Sequence, residues 1–334
     1  MTPQLSLCFP TYNRAALLDL ALRAVLDQIT PEAAEQVEIV VLDNASPDDT
    51  PAVVAQAKEL FPQFNIRALR HSENIGPDAN FYEAVKEAQG QFVYLLSDDD
   101  ILLPGAVTRM LTLIEENPTF DAFCLNIRPF VSDLSEDKPT LLDIPQDIIL
   151  RSRDEALMVI GPLVGFMSAM VFNKSRIAAN DYTSKIGTNF LQSYFFLDVL
   201  VGGNGFVVTA KPFLAQRIEN AVDISYFRVF ITSLHTVLTY AESIGYSRKV
   251  IRRIEHKNLI GARHFVSRVK IYGREADQWS SRRDAISRLY HVYGLSPYLW
   301  FVVVPLMFFP RALRPLVFSI RRLIGRPYIA PGKD

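Results

Sequence analysis

The chain has 334 residues, 49% of them hydrophobic, enough for one α/β domain and an appendage, and its formal net charge is −1. Its two cysteines, Cys8 and Cys124, lie in apolar runs, which suits a reducing compartment better than a disulfide framework. The small net charge conceals an asymmetry: residues 1–240 hold 17 Lys/Arg against 30 Asp/Glu, and residues 241–334 hold 18 against 6. A basic C-terminal third predicts a polyanionic partner. No basic and apolar leader precedes the first apolar run, so a cytoplasmic chain is expected.

In chain order, residues 5–9 read as a strand stopped by Pro10, and residues 15–28 as a helix with an apolar stripe near 3.6 periodicity. Residues 37–42 (VEIVVL) form an apolar run of the buried parallel type. The polar stretch 43–50 ends in capping residues, and Pro51 opens the next helix. Residues 65–69 predict a third strand, 77–89 a helix stopped by Gly90, and 92–96 a fourth strand that runs into Ser97-Asp98-Asp99-Asp100. Such alternation implies a mostly parallel sheet covered on both faces, with ligands bound beyond the carboxyl ends of the strands. Three polar clusters fall at those ends: residues 11–14, Asp43-Asn44 and residues 97–100.

Three carboxylates closing an apolar strand must meet solvent, a positive partner or a metal, because buried unpaired charge is too costly. Their oxygen atoms suit Mg²⁺ or Mn²⁺, which keep positions open for phosphate. The plainer reading is an acidic turn or helix cap. Tyr12 offers a ring to stack on a base, and Asp43 an acceptor for a base or ribose. Neither a Gly-rich dinucleotide turn nor a Walker-type lysine loop is present, so phosphate charge would be met by metal and side chains.

Four ordered blocks, Phe9-Pro10-Thr11-Tyr12-Asn13-Arg14, Val41 to Ser46, Glu73-Asn74-Ile75-Gly76 with Asn80, and Ser97 to Asp100, make residues 4–118 resemble the family 2 glycosyltransferases of the GT-A fold. The resemblance implies an inverting sugar transfer from a nucleotide diphosphate sugar with Mg²⁺ or Mn²⁺. It places Pro10, Thr11, Tyr12, Arg14, Asp43, Asn74, Gly76, Asn80 and Asp98 around the nucleotide sugar, and Asp98, Asp99 and Asp100 at ribose and metal. Two registers remain open. In one, Ser97 replaces the family's first acid and Asp99 is metal-proximal; in the other the motif is Asp98-x-Asp100.

An inverting transfer needs a base near the acceptor hydroxyl. Many members carry a Glu-Asp pair at the start of a helix about a hundred residues after the metal motif, and here that stretch, residues 187–192, holds no acid. Gln192, Asp198 and Asp181 are the nearest candidates, with the base itself unknown; a surface carboxylate is the plainer reading of Asp198.

Residues 123–125 and 205–208 read as further strands, the latter ended by Lys211-Pro212, residues 132–147 as a surface loop, and residues 165–172 as an acceptor-side strand or plain core. From residue 224 long helices follow, one basic and amphipathic with Arg248, Lys249, Arg252, Arg253 and Lys257. The apolar run 299–309 is about half the roughly 20 residues a membrane span needs, and it is followed by Arg311, Arg314, Arg321, Arg322 and Arg326. That predicts an interfacial segment at about 295–326, with Trp and Phe in the acyl boundary and Arg on anionic headgroups. A buried helix is the alternative; nucleic acid lacks a reader motif.

The expected organisation is a GT-A catalytic domain at 1–220 (nucleotide-sugar half 1–118, acceptor half 119–220) and a basic helical region at 221–334. The expected activity is transfer to a polyprenyl-linked glycan in bacterial surface polysaccharide synthesis, O-antigen or capsule, at the inner face of the cell membrane. A non-catalytic nucleotide-sugar binder and a sugar-phosphate nucleotidyltransferase are the alternatives.

Overall fold

A computed structural model describes residues 2–130, 134, 138–217, 226–272 and 282–310. By its contacts the chain divides into two units, Met1–Ala221 with Val237–Ile251, and Val222–Thr236 with Arg252–Asp334.

The first unit is built on a sheet with strand order β3-β2-β1-β4-β8-β6-β9-β5, and β7 pairs β9. Strands β1 (Leu5–Thr11), β2 (Val37–Asp43), β3 (Asn65–Arg70) and β4 (Phe92–Leu95) run parallel. Each is followed by a helix or a turn on the expected pattern: α1 (Ala15–Leu26), α2 (Thr50–Leu60) and α3 (Pro77–Glu87). β1 and β2 are buried along their whole length, as continuous apolar runs between two helical layers should be. The register pairs Thr11 with Asp43 and Cys8 with Leu95, which brings the ends of β1, β2 and β4 together.

β5 (Ile101–Leu102) leads to α4 (Ala106–Glu116), and β6 (Ala122–Phe130) and β8 (Met170–Asn173) extend the sheet. β7 (Ile148–Leu150) and α5 (Arg153–Ile160) lie between them in sequence, and α6 (Leu191–Gly202) follows. The segment 165–172 is only partly strand. One turn of 3-10 helix, Met167–Ala169, precedes β8, and Gly165 sits so close to the Phe190 ring that a Cβ would stand 2.5 Å from it.

β9 (Phe206–Arg217) does not end at Lys211-Pro212, as the sequence suggested; it continues to Arg217. Proline lacks the N–H a ladder requires, so the strand needs an irregularity there. Asn126 provides it. The β6–β9 register shifts on either side of Asn126, whose buried amide donates to Ala210 O at 2.7 Å and Leu142 O at 2.8 Å.

The second unit is helical. Leu259, Ala262 and Val266 from α8 (Arg248–Tyr272), Ala285 and Leu289 from α9 (Arg282–Tyr293), and Leu299, Val303 and Met307 close one core with Phe227 and Ile231. The apolar face of α8 is therefore packed inside the protein. Arg252, Arg253 and Lys257 on its other face are exposed. α7 (Leu234–Ser243) precedes α8, and α10 (Val304–Met307) continues a π-helical turn, Leu299–Val303. Among the described residues no helix is long and apolar enough to cross a membrane. Arg311, Arg314, Arg321, Arg322 and Arg326 lie outside the described residues.

Candidate active site

Thr11 is the last residue of β1, and the chain after it must leave the sheet. Asn13 takes a left-handed φ of 54°, its N–H donating to Ser46 Oγ at 2.9 Å, and Arg14 then precedes α1. This turn aims Thr11 and Arg14 at the end of β4. Thr11 Oγ1 donates to Asp98 Oδ2 at 2.7 Å, and Arg14 Nη1 donates to Asp98 Oδ1 at 2.9 Å and to Asp99 Oδ2 at 3.3 Å. Asp98 is buried, so its charge is held by a cation and a hydroxyl instead of water. Tyr12 stands 42% exposed beside this pair, and Pro10 is buried in β1.

The other two aspartates are placed differently. Ser97 Oγ donates to Asp99 Oδ1 at 2.6 Å, and the Asp99 side chain keeps 17% of its surface open. Asp100 turns inward: Ser168 Oγ donates to its Oδ2 at 2.7 Å and the Arg217 N–H to its Oδ1 at 3.3 Å. Burial, opposed by the Ser168 bond, pushes the Asp100 carboxyl up to about 7. Ser168 also accepts from the Ser97 N–H at 2.9 Å, so one hydroxyl fixes the shape of the turn. All three thus meet protein donors, but Asp98 and Asp100 are buried whereas Asp99 alone keeps part of its side chain open.

Asp43 ends β2. Its Oδ1 accepts from the Ser46 N–H at 2.8 Å and its Oδ2 from Arg70 Nη1 at 2.7 Å; Arg70 also reaches Ser46 O at 2.9 Å. Ala45, between these residues, holds φ at 60°, a conformation that costs a residue with a Cβ about 1 kcal/mol and that the Asp43–Ser46–Arg70 bonds sustain. The Arg70 side chain is 46% exposed, a cation at the rim beside a nearly buried carboxylate. A 230 Å³ cavity behind it is lined by Asp43, Arg70, Val54 and Lys58, among others.

The Asn74-Ile75-Gly76 turn is tied to the same strand end through Asn44. Asn44 Nδ2 donates to Asn74 Oδ1 at 2.9 Å, and its Oδ1 accepts from the Ile75 N–H at 2.9 Å. Gly76 holds φ at 86°, which favours glycine, and its N–H also reaches Asn74 Oδ1. Asn80 is buried; it donates to Leu42 O at 3.1 Å and meets His71 Nε2 at 3.2 Å.

The three candidate bases are occupied in different ways. Asp198 accepts from Tyr182 Oη and Tyr240 Oη, both at 2.6 Å, and from Asn180 Nδ2 at 2.9 Å. Asp181 is exposed and caps Thr183, whose hydroxyl and N–H hold its carboxyl below the usual range. Gln192 is buried in the first turn of α6, donating to Gly165 O at 2.9 Å. Arg70, Ser168, Arg217 and Asp78 share in this bonding and are not among the residues that the sequence predicts for the site. Asp78, buried at the start of α3, accepts from the N–H groups of Gly187 and Asn189 at 2.8 Å and of Leu191 at 3.5 Å. Its position one residue after Pro77, in a first helical turn, was the only signal.

At the ends of adjacent parallel strands, then, stand carboxylates with their cations, an exposed tyrosine and a hydrogen-bonded asparagine turn. The family model described as "Glycosyl transferase family 2" matches residues 6–175, and this stretch contains all of these groups. The chain belongs to glycosyl transferase family 2. Over 235 residues this glycosyltransferase is 26% identical to the abequosyltransferase RfbV of Salmonella typhimurium, a match that covers 65% of this chain and 67% of that protein. It is 33% identical over 114 residues to the Campylobacter jejuni GalNAc(5)-diNAcBac-PP-undecaprenol beta-1,3-glucosyltransferase, covering 34% of this chain and 35% of that one. Its fold resembles S. aureus TarS 1-349 in complex with UDP, with a TM-score of 0.63 at 16% identity over 99% of this chain and 95% of that chain. The Pyrobaculum calidifontis mannosyltransferase PcManGT, in complex with GDP-Man and Mn²⁺, shares the fold at a TM-score of 0.57 and 15% identity, over 98% and 88% of the two chains. The family match sets aside the nucleotidyltransferase alternative.

Proposed function

We propose that this glycosyltransferase moves a sugar from a nucleotide diphosphate sugar to a polyprenyl-linked glycan in bacterial surface polysaccharide synthesis, with inversion and with a divalent cation. The observation that carries the donor half is the meeting of Thr11, Arg14, Asp98 and Asp99 beside Asp43 and Arg70 at adjacent strand ends. Tyr12 stacks on the base, Asp43 and Arg70 present an acceptor and donors to its edge, and Asp98 meets the ribose. Asn74, Gly76 and Asn80 support this pocket through their bonds to Asn44 and the end of β2.

Among the described residues no ready-made cluster of three metal-ligating side chains exists. The donor set nevertheless fits Mg²⁺ or Mn²⁺ held by one carboxylate and the donor's own phosphates, a usual arrangement for Mg²⁺. Asp99, the least buried of the three, is the residue that would hold it, which favours the register with Ser97 in first place. The ion would neutralise the departing diphosphate. In the transfer the acceptor oxygen attacks C1, the C1–O bond to the phosphate breaks, and the acceptor proton passes to a base. Asp198, Asp181 and Gln192 are not assigned that role.

The acceptor half rests on the Campylobacter relative, whose name carries a PP-undecaprenol acceptor, and on the basic helical unit. An enzyme that meets such an acceptor works at the inner face of the cell membrane. O-antigen assembly is favoured by the Salmonella relative. The catalytic domain is 1–220 and the basic helical region 221–334 in this reading. A thermal-shift titration with UDP, CDP, GDP and dTDP, each with Mn²⁺ and with EDTA, tests it. Metal-dependent stabilisation by one nucleotide, lost in Asp99→Ala, is expected; no stabilisation by any of them sinks the donor reading.

A further inference from the structure

We infer that the helical turn around Phe301 and Phe308 is a shallow docking stripe that seats the second unit on an anionic lipid surface. This deepens the membrane part of the proposed function and rests on it. The segment has two distinct sides. Leu299, Val303 and Met307 are fully buried in the core of the unit. Phe301 is 82% exposed and Phe308 56%, with Pro297 and Pro305 exposed between and before them at offsets of four and three residues. Leu295, just ahead, is 80% exposed. Residues 295–310 contain no charge. Large aromatic side chains aligned on one open, charge-free side mark an interaction surface, not scattered surface apolarity.

Lipid is the occupant that the charges select. The guanidinium of Arg282 lies 5.6 Å from the centre of the Phe308 ring, and Arg282 and Arg283 are both exposed. A cation is thus held at the edge of the apolar stripe, the arrangement that lets rings enter the acyl boundary while arginine meets headgroup phosphate. The described residues of this unit carry ten Lys/Arg and two Asp/Glu, so a second copy would meet like charge, whereas an anionic bilayer attracts it. The continuous helical stretch from residue 297 to 307 is about 16 Å long at 1.5 Å per residue, half a hydrocarbon core, so it lies in the surface. Trp300 is turned inward: its Nε1 donates to Gly294 O at 3.0 Å and its ring meets Tyr290 edge-on. The phenylalanines, not the tryptophan, are the inserting groups.

The test is co-sedimentation of the full chain with vesicles of phosphatidylcholine alone and of phosphatidylcholine with phosphatidylglycerol. The wild type, Phe301→Ser/Phe308→Ser and Arg282→Gln/Arg283→Gln are compared, with light scattering on the same samples. The expected result is binding to the anionic vesicles that weakens about tenfold or more in the Phe pair and loses salt sensitivity in the Arg pair. Unchanged binding by the Phe pair, or no binding of wild type to anionic vesicles, overturns the inference. Self-association abolished in the Phe pair, without vesicle binding, assigns the stripe to a second copy and overturns it too. The nucleotide thermal shift is read in parallel; its absence in a protein that still binds vesicles removes the donor reading and leaves the stripe standing.

Discussion

Arg14 and Asp98 meet at 2.9 Å across 84 residues of chain, joining the turn after β1 to the turn after β4. The parallel β1–β4 ladder makes this possible, because it sets the two strand ends side by side. Removing the cation leaves a buried carboxylate with Thr11 as its remaining side-chain donor. Arg14→Ala is expected to destabilise the protein by about 2 kcal/mol, below the deep-buried range because the Arg14 side chain is one third exposed. Urea denaturation measures this. A double-mutant cycle with Asp98→Asn should return a coupling of about 1–2 kcal/mol, and additive losses would show that the pair is not coupled.

Asp198 gathers two tyrosine hydroxyls and an asparagine amide, which describes a packing anchor between α6, the 180–182 loop and α7. Asp198→Asn is expected to lower stability by about 1–3 kcal/mol and to leave turnover within a few-fold. Loss of a general base costs roughly 100-fold to 10,000-fold in rate, so a drop of that size in kcat at unchanged folding would instead make Asp198 the base.

Asp78 holds the loop that opens α6 by accepting three backbone N–H groups. Asp78→Ala is expected to cost about 2–3 kcal/mol, since three donors lose one acceptor, and Asp78→Asn about half of that. Hydrogen exchange should show the amides of Gly187 and Asn189 losing protection before the global transition in both variants. Protection equal to wild type would remove Asp78 from this role.

Cys8 and Cys124 are fully enclosed, and burial raises both thiols, Cys124 to about 12 and Cys8 further, with Glu38 adding to the rise at Cys8. A folded pKa above the unfolded value means that the stabilising contribution is complete below about 9 and is lost as pH climbs from there toward the folded values. Stability is therefore expected to fall in the alkaline range from about pH 9. Iodoacetamide at pH 8 should label neither cysteine in the native protein and both in denaturant; rapid native labelling would show that the enclosing strands open.

The four parallel strands and their helices were legible because each carries its own local signal: apolar runs of strand length, proline at helix starts, and glycine at a stop. The blocks at the strand ends were legible for the same reason, since the chain order of a parallel sheet places its polar loops on one edge. Arg70, Ser168, Arg217 and Asp78 were not, because their partners lie 24 to 117 residues away and nothing local marks a residue whose role is to bond another loop. The passage of β9 through Pro212 likewise depended on Asn126 in a neighbouring strand. By itself the sequence determined the layered α/β class, the residue types at the strand ends and the basic C-terminal third, all of which follow from local patterning. Only the tertiary structure decided which aspartate stays partly open, that Asp198 anchors two tyrosines, and which side of the 297–307 helix is open, because each depends on which distant groups satisfy a buried charge or cover an apolar face.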